Sequence, residues 1–70
     1  MQRQPVSSSN LSSVGYDEVS HVLEIAFHNG GIYQYFNVPQ NVHVGLMNAS
    51  SHGQYFYYNI RNVYGYRRIL

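Results

Sequence analysis

The sequence predicts an α+β domain in which a three-stranded antiparallel meander is followed by two helices packed on one face, in the order β-β-β-α-α. Three observations lead there. Two runs of alternating side chains flank an Asn29-Gly30 pair, a strong short-range hairpin signal. After Pro39 the apolar spacing changes from two residues to three and four, the period of a helix. The chain is 70 residues long, enough for one hydrophobic core and no more. A core of that size is worth roughly 3–5 kcal/mol.

Residues 1–9 are poor in large hydrophobes and rich in Ser and Gln, with Pro5 among them. They read as a flexible, partly disordered lead-in that can end by pairing on a sheet edge. Residues 10–68 read as a single domain, and 69–70 as a C-terminal tail. Val14 and Tyr16 share one face of a short strand that stops at Asp17-Glu18. Leu23, Ile25 and Phe27 alternate with Glu24, Ala26 and His28, the mark of a half-buried strand. Beyond Asn29-Gly30-Gly31, Ile32, Gln34 and Phe36 alternate with Tyr33, Tyr35 and Asn37.

The hairpin register decides where Tyr33 and Tyr35 point. A two-residue type I′ loop at Asn29-Gly30 sets Phe27 opposite Ile32 and Ile25 opposite Gln34. Tyr33 and Tyr35 then share the open face of the sheet with Glu24 and Ala26. A loop of three or four residues shifts the register and buries them instead.

Pro39 suits the first turn of a helix, where its missing N–H is no loss. Val42, Leu46 and Ala49 make an apolar stripe from about residue 40 to 49, although Gly45 inside it costs up to ~1 kcal/mol. Ser51, followed three residues later by Gln54, has the pattern of a capping box and starts a second helix. Phe56, Ile60 and Val63 form its apolar stripe, to about residue 62, with Tyr55, Tyr58, Arg61 and Asn62 on the other side. The core then combines Val14 or Tyr16 with Leu23, Ile25, Phe27, Val42, Leu46, Phe56 and Ile60.

Composition removes many functions. Cysteine is absent, which excludes a disulfide framework, a thiolate metal site and a cysteine nucleophile. No stretch approaches the ~18 apolar residues of a membrane span, and the first residues do not resemble a signal peptide. A soluble, cytoplasmic protein without a membrane partner is the expectation. Only 10% of residues are charged, and the net charge is +1. All three acids (Asp17, Glu18, Glu24) lie early, whereas Arg61, Arg67 and Arg68 fall in the last ten residues.

Catalysis finds little support. His21, His28, His43 and His52 are the only side chains suited to proton transfer near neutrality. None stands in a nucleophile–base pattern, and no His-x-x-x-His occurs on a helix. Asp17-Glu18 reads as a turn. The expectation is no enzyme, no metal and no cofactor. Ser50-Ser51-His52-Gly53 can offer N–H groups to an anion, but the cap at Ser51 uses the same donors.

The remaining signal is the segment 55–68, which holds five of the eight tyrosines, three arginines and no acid. Tyrosine rings stack unpaired bases, and arginine meets phosphate. Tyr and Arg are equally the residues enriched at protein interfaces, so a protein partner or self-association is the alternative. Tyr55, Tyr58 and Arg61 share the outer face of the second helix, with Arg67 and Arg68 extending it as phosphate contacts and Tyr33 and Tyr35 as a second stacking pair.

The order of residues resembles a known family. Gly15-Tyr16-Asp17, a Leu-x-Ile-x-Phe strand, Tyr33-Gln34-Tyr35, Val38-Pro39, Ala49, Ser51-x-Gly53, Tyr55-Phe56, Ile60-Arg61 and Tyr64 follow the pattern of the KTSC domain. That domain is named for its place at the C-terminus of some lysyl-tRNA synthetases. The resemblance covers residues 8–68. It implies no activity, and through the attached synthetases it suggests single-stranded RNA or tRNA as a partner.

Overall fold

The computed structural model describes residues 1–70. The elements run β1 (Gln4–Pro5), β2 (Leu11–Asp17), β3 (Val22–Phe27), β4 (Ile32–Tyr35), α1 (Gln40–Asn48), α2 (His52–Asn59) and β5 (Tyr66–Arg68). The strands form one antiparallel sheet in the order β1-β2-β3-β4-β5. The class is α+β with two helices, as expected, but the sheet has five strands rather than three. One of the extra two, β1, lies in the segment read as lead-in, and the other, β5, lies at the end of the segment read as the domain, just before the tail. Each is too short to display a two-residue period, and tertiary pairing alone makes it a strand.

Within residues 1–9, β1 pairs on the edge of the sheet, Gln4 with Val14 and Pro5 with Ser13. β2 carries a bulge between Leu11 and Ser13. The extra residue changes the phase of the alternation, so that Leu11, Val14 and Tyr16 all face the helices despite their uneven spacing.

The β3–β4 loop corrects the two-residue expectation. Phe27 N donates to Gly31 O at 2.8 Å and Gly30 N to Phe27 O at 2.9 Å. Gly30 has φ +98°, while Asn29 keeps a negative φ, so the turn is not type I′. His28, Asn29 and Gly30 form a three-residue loop. Leu23 therefore pairs with Tyr35 and Ile25 with Tyr33, and both tyrosines lie under the helices. The open-face placement of Tyr33 and Tyr35 does not hold.

Pro39 precedes α1 as its cap, and Ala49 ends it. Ser51 Oγ caps α2 by accepting from Gln54 N at 3.2 Å, one half of the expected capping box. α2 stops at Asn59, three residues early, where Asn59 Nδ2 donates back to the Tyr55 carbonyl. Val63 is thereby turned out to solvent and leaves the stripe predicted for it.

Nine residues make the buried core: Leu11, Val14, Leu23, Ile25, Tyr35, Val38, Leu46, Phe56 and Ile60. Phe27 and Val42 pack at its margin. Tyr16 Oη donates to the Val38 carbonyl at 2.6 Å and its ring stacks on His43 at 4.7 Å, fixing α1 to the sheet.

The face away from the helices holds one nearly buried acid. Glu24 accepts from Gln34 Nε2 at 2.9 Å and from Arg3 Nη1, which lies across it, while Arg3 Nε donates to Ser13 Oγ at 3.0 Å. Burial opposes ionisation of Glu24, but the bonds from Gln34 and Arg3 outweigh it and hold the carboxyl below its ordinary value of 4.5. A group with a depressed folded pKa stabilises the fold above its unfolded pKa and loses that contribution as pH falls through the folded one. Asp17, held low by the backbone N–H groups of Val19 and Ser20, acts in the same direction. Urea midpoints measured from pH 7 down to pH 3 are expected to fall more steeply in the parent than in Glu24→Gln. Parallel curves would remove Glu24 from the acid response.

Candidate binding cleft

α2 lies over the β4–β5 side of the sheet and leaves a gap along its edge. The β4–β5 register sets Tyr35 beside Tyr66 and Tyr33 beside Arg68. Because alternate residues share a face, all four side chains lie on the helix side. Tyr35 is buried at the floor, with its ring edge-on to Phe56 at 5.5 Å. Tyr33 meets Phe27 edge-on at 5.6 Å and Tyr66 at 5.8 Å. From α2, Tyr57 stands half exposed, with Arg61 Cζ 5.4 Å from its ring centroid. Arg68 lies 5.7 Å above Tyr33. These groups enclose a cleft of about 410 Å³, whose polar side chains are Asn10, Asn29, Asn62, the tyrosine hydroxyls and Arg61.

The electrostatics are one-sided. No acid lines the cleft. Glu24 is on the opposite face under Arg3, and Glu18 is engaged by Gln40 Nε2 at 3.1 Å. Burial, with Tyr33 and Tyr66 alongside, pushes the Tyr35 phenol up to about 12, so it adds no negative charge near neutrality. A cleft of this size falls in the range that holds a single planar ligand. Its aromatic lining and two arginines favour a ring that carries or adjoins an anion, and disfavour a cation.

The structure gathers some of the residues expected from sequence and separates others. Tyr33, Tyr35 and Arg61 line the cleft and Arg68 flanks it, although Tyr33 and Tyr35 do so from the covered face. Tyr55 turns inward. Its ring packs against Gly45 of α1, so it does not share an outer face with Tyr58 and Arg61. Tyr58 is exposed but lines a neighbouring polar hollow. Arg67 pairs with Gln34 in the register and so belongs to the other face. Asn10, Phe27, Asn29, Tyr57 and Tyr66 also line the cleft but were not among the binding residues expected from sequence, and Asn62, expected beside Arg61, joins them. The one readable signal was for Tyr57, four residues before Arg61 in a segment whose sequence reads as helical.

Three of the four histidine rings have a partner within the chain. His28 Nε2 lies 2.9 Å from the Ser8 carbonyl and His52 Nδ1 lies 2.8 Å from that of Leu46. His43, stacked on Tyr16, has its pKa lowered by burial. No three His, Cys, Asp or Glu side chains come together as metal ligands, and no helix is long and apolar enough to cross a membrane.

A small α+β domain with an aromatic cleft between its second helix and a five-stranded sheet is the class that fold and site define. The chain belongs to the KTSC domain family, which matches residues 7–64. It is 41% identical over 56 residues to an uncharacterized protein of Stutzerimonas stutzeri, covering 80% of this chain and 79% of that one. It is 36% identical over 61 residues to a lysine–tRNA ligase of Nostoc, covering 87% of this chain but only 11% of the ligase. A crystal structure of a KTSC domain protein from Yersinia pestis superposes with a TM-score of 0.96 at 45% identity, covering 99% of this chain and 97% of the other. The family match points to no catalytic family.

Proposed function

We propose that the domain is a non-enzymatic binding module for unpaired RNA, taking a base into the cleft between α2 and β4–β5. The observation that carries this reading is the cleft itself: aromatic walls, Arg61 and Arg68 at its sides, and no acid. A base stacks on such walls irrespective of its identity, and the guanidinium groups meet the adjoining phosphates. The match to a segment of lysine–tRNA ligases is consistent with an RNA partner.

Fluorescence anisotropy with single-stranded RNA at two salt concentrations tests it. Tyr66→Ala is expected to cost roughly 1–3 kcal/mol of affinity, the worth of one stacking contact. The ring is 60% exposed, so thermal stability should change little. Arg61→Gln should weaken all sequences alike and flatten the salt dependence by about 0.7 in slope. Absence of binding by the parent at around 100 μM, within the weak non-specific range, ends the RNA reading. A stable dimer indifferent to RNA, seen by sedimentation, would put self-association in its place.

A further inference from the structure

A second hollow, of about 480 Å³, adjoins the aromatic cleft and shares Asn10, Gly53 and Tyr57 with it. The two are compartments of one groove, with Tyr57 standing between them. The second compartment is lined by residues 7–9 and 50–54 and by the exposed Tyr58, and it too contains no acid. Ser9 Oγ donates to Asn10 Oδ1 at 2.9 Å, but two other hydroxyls are only half used. Ser8 Oγ accepts from Asn10 N and Leu11 N at 3.3 and 3.2 Å, and Ser51 Oγ accepts from Gln54 N at 3.2 Å. Neither hydroxyl proton has an acceptor within the chain, so both remain available as donors. Uncharged donors around an acid-free hollow suit a diffuse anion such as a phosphodiester.

We propose that the groove binds RNA as a strand of at least two linked nucleotides, one base in the aromatic cleft and its phosphodiester-linked neighbour in the serine-lined hollow beyond Tyr57. This rests on the reading of the cleft as a base site. The Tyr57 ring, with Tyr58 edge-on at 5.1 Å, gives the second base a surface to lie on. The preferred ligand is therefore a short single strand and not a free mononucleotide.

An NMR titration of the 15N-labelled protein with the ladder pA, pApA and pApApA separates the two ideas. With pA, shifts should be confined to amides around Tyr33, Arg61 and Tyr66. With pApA they should spread to Ser8, Ser51 and Gly53, and affinity should tighten about tenfold, within what one further stacked nucleotide contributes. Gln54→Glu places a negative charge in the hollow at a helix position that favours it. That variant should leave pA binding unchanged and abolish the gain from the second nucleotide. If pApA binds no tighter than pA and shifts only the cleft, the two-compartment strand is overturned while the base site stands. If no member of the ladder shifts the cleft at millimolar concentration, both fall.

Discussion

Phe56→Ala is expected to leave the domain largely unfolded. The ring is 7% exposed and joins α2 to the sheet, meeting Phe27 at 5.3 Å and Tyr35 at 5.5 Å, both edge-on. Truncating a buried phenylalanine costs about 3–5 kcal/mol, from lost transfer energy and the cavity left behind. A core of this size supplies roughly 3–5 kcal/mol in total. The two numbers are equal within their spread, so the variant has nothing in reserve. Circular dichroism of Phe56→Ala at 25 °C should show no cooperative melt. A sharp transition close to the parent's would mean that the ring is not central to the core.

Gly45→Ala is expected to destabilise the fold by about 1–3 kcal/mol, the usual penalty for forcing extra carbon into filled space. In most exposed helix interiors, replacing glycine removes a backbone entropy cost and is welcome. Here a Cβ on Gly45 would sit inside the contact radius of Tyr55 Oη and 2.7 Å from Tyr55 Cζ. Relief requires the Tyr55 ring to leave the α1–α2 contact. The cycle with Tyr55→Ala distinguishes clash from propensity. In that background Gly45→Ala should stabilise by up to ~1 kcal/mol. Urea denaturation of the four proteins measures this, and a destabilising Gly45→Ala in the Tyr55→Ala background would contradict the packing account.

The elements with a period were legible from sequence. Leu23, Ile25 and Phe27 announced β3, and the Val42–Leu46 spacing announced α1. Gly45 was readable only as a weakness of α1, because its purpose lies in Tyr55, ten residues away. β1 and β5 exist through pairing with β2 and β4, and two or three residues carry no period of their own. The cleft was half legible for a related reason. A one-residue difference in the Asn29-Gly30 loop reverses every side chain of β4, so Tyr33 and Tyr35 moved from the open face to the covered one. Tyr66 joined them only because β5 docks beside β4.

That docking has a kinetic consequence. β1 to β4 pair with their immediate neighbours in sequence, whereas β5 reaches β4 only after both helices have been passed. Contacts between distant chain segments form late, and segments with little buried surface open first. β5 is exposed along its whole length, yet it carries Tyr66 and Arg68. One wall of the cleft is thus carried on an edge strand that is expected to close late and to open readily. Local opening of β5 would widen the cleft without disturbing the core beneath, because none of the nine core residues lies on that strand.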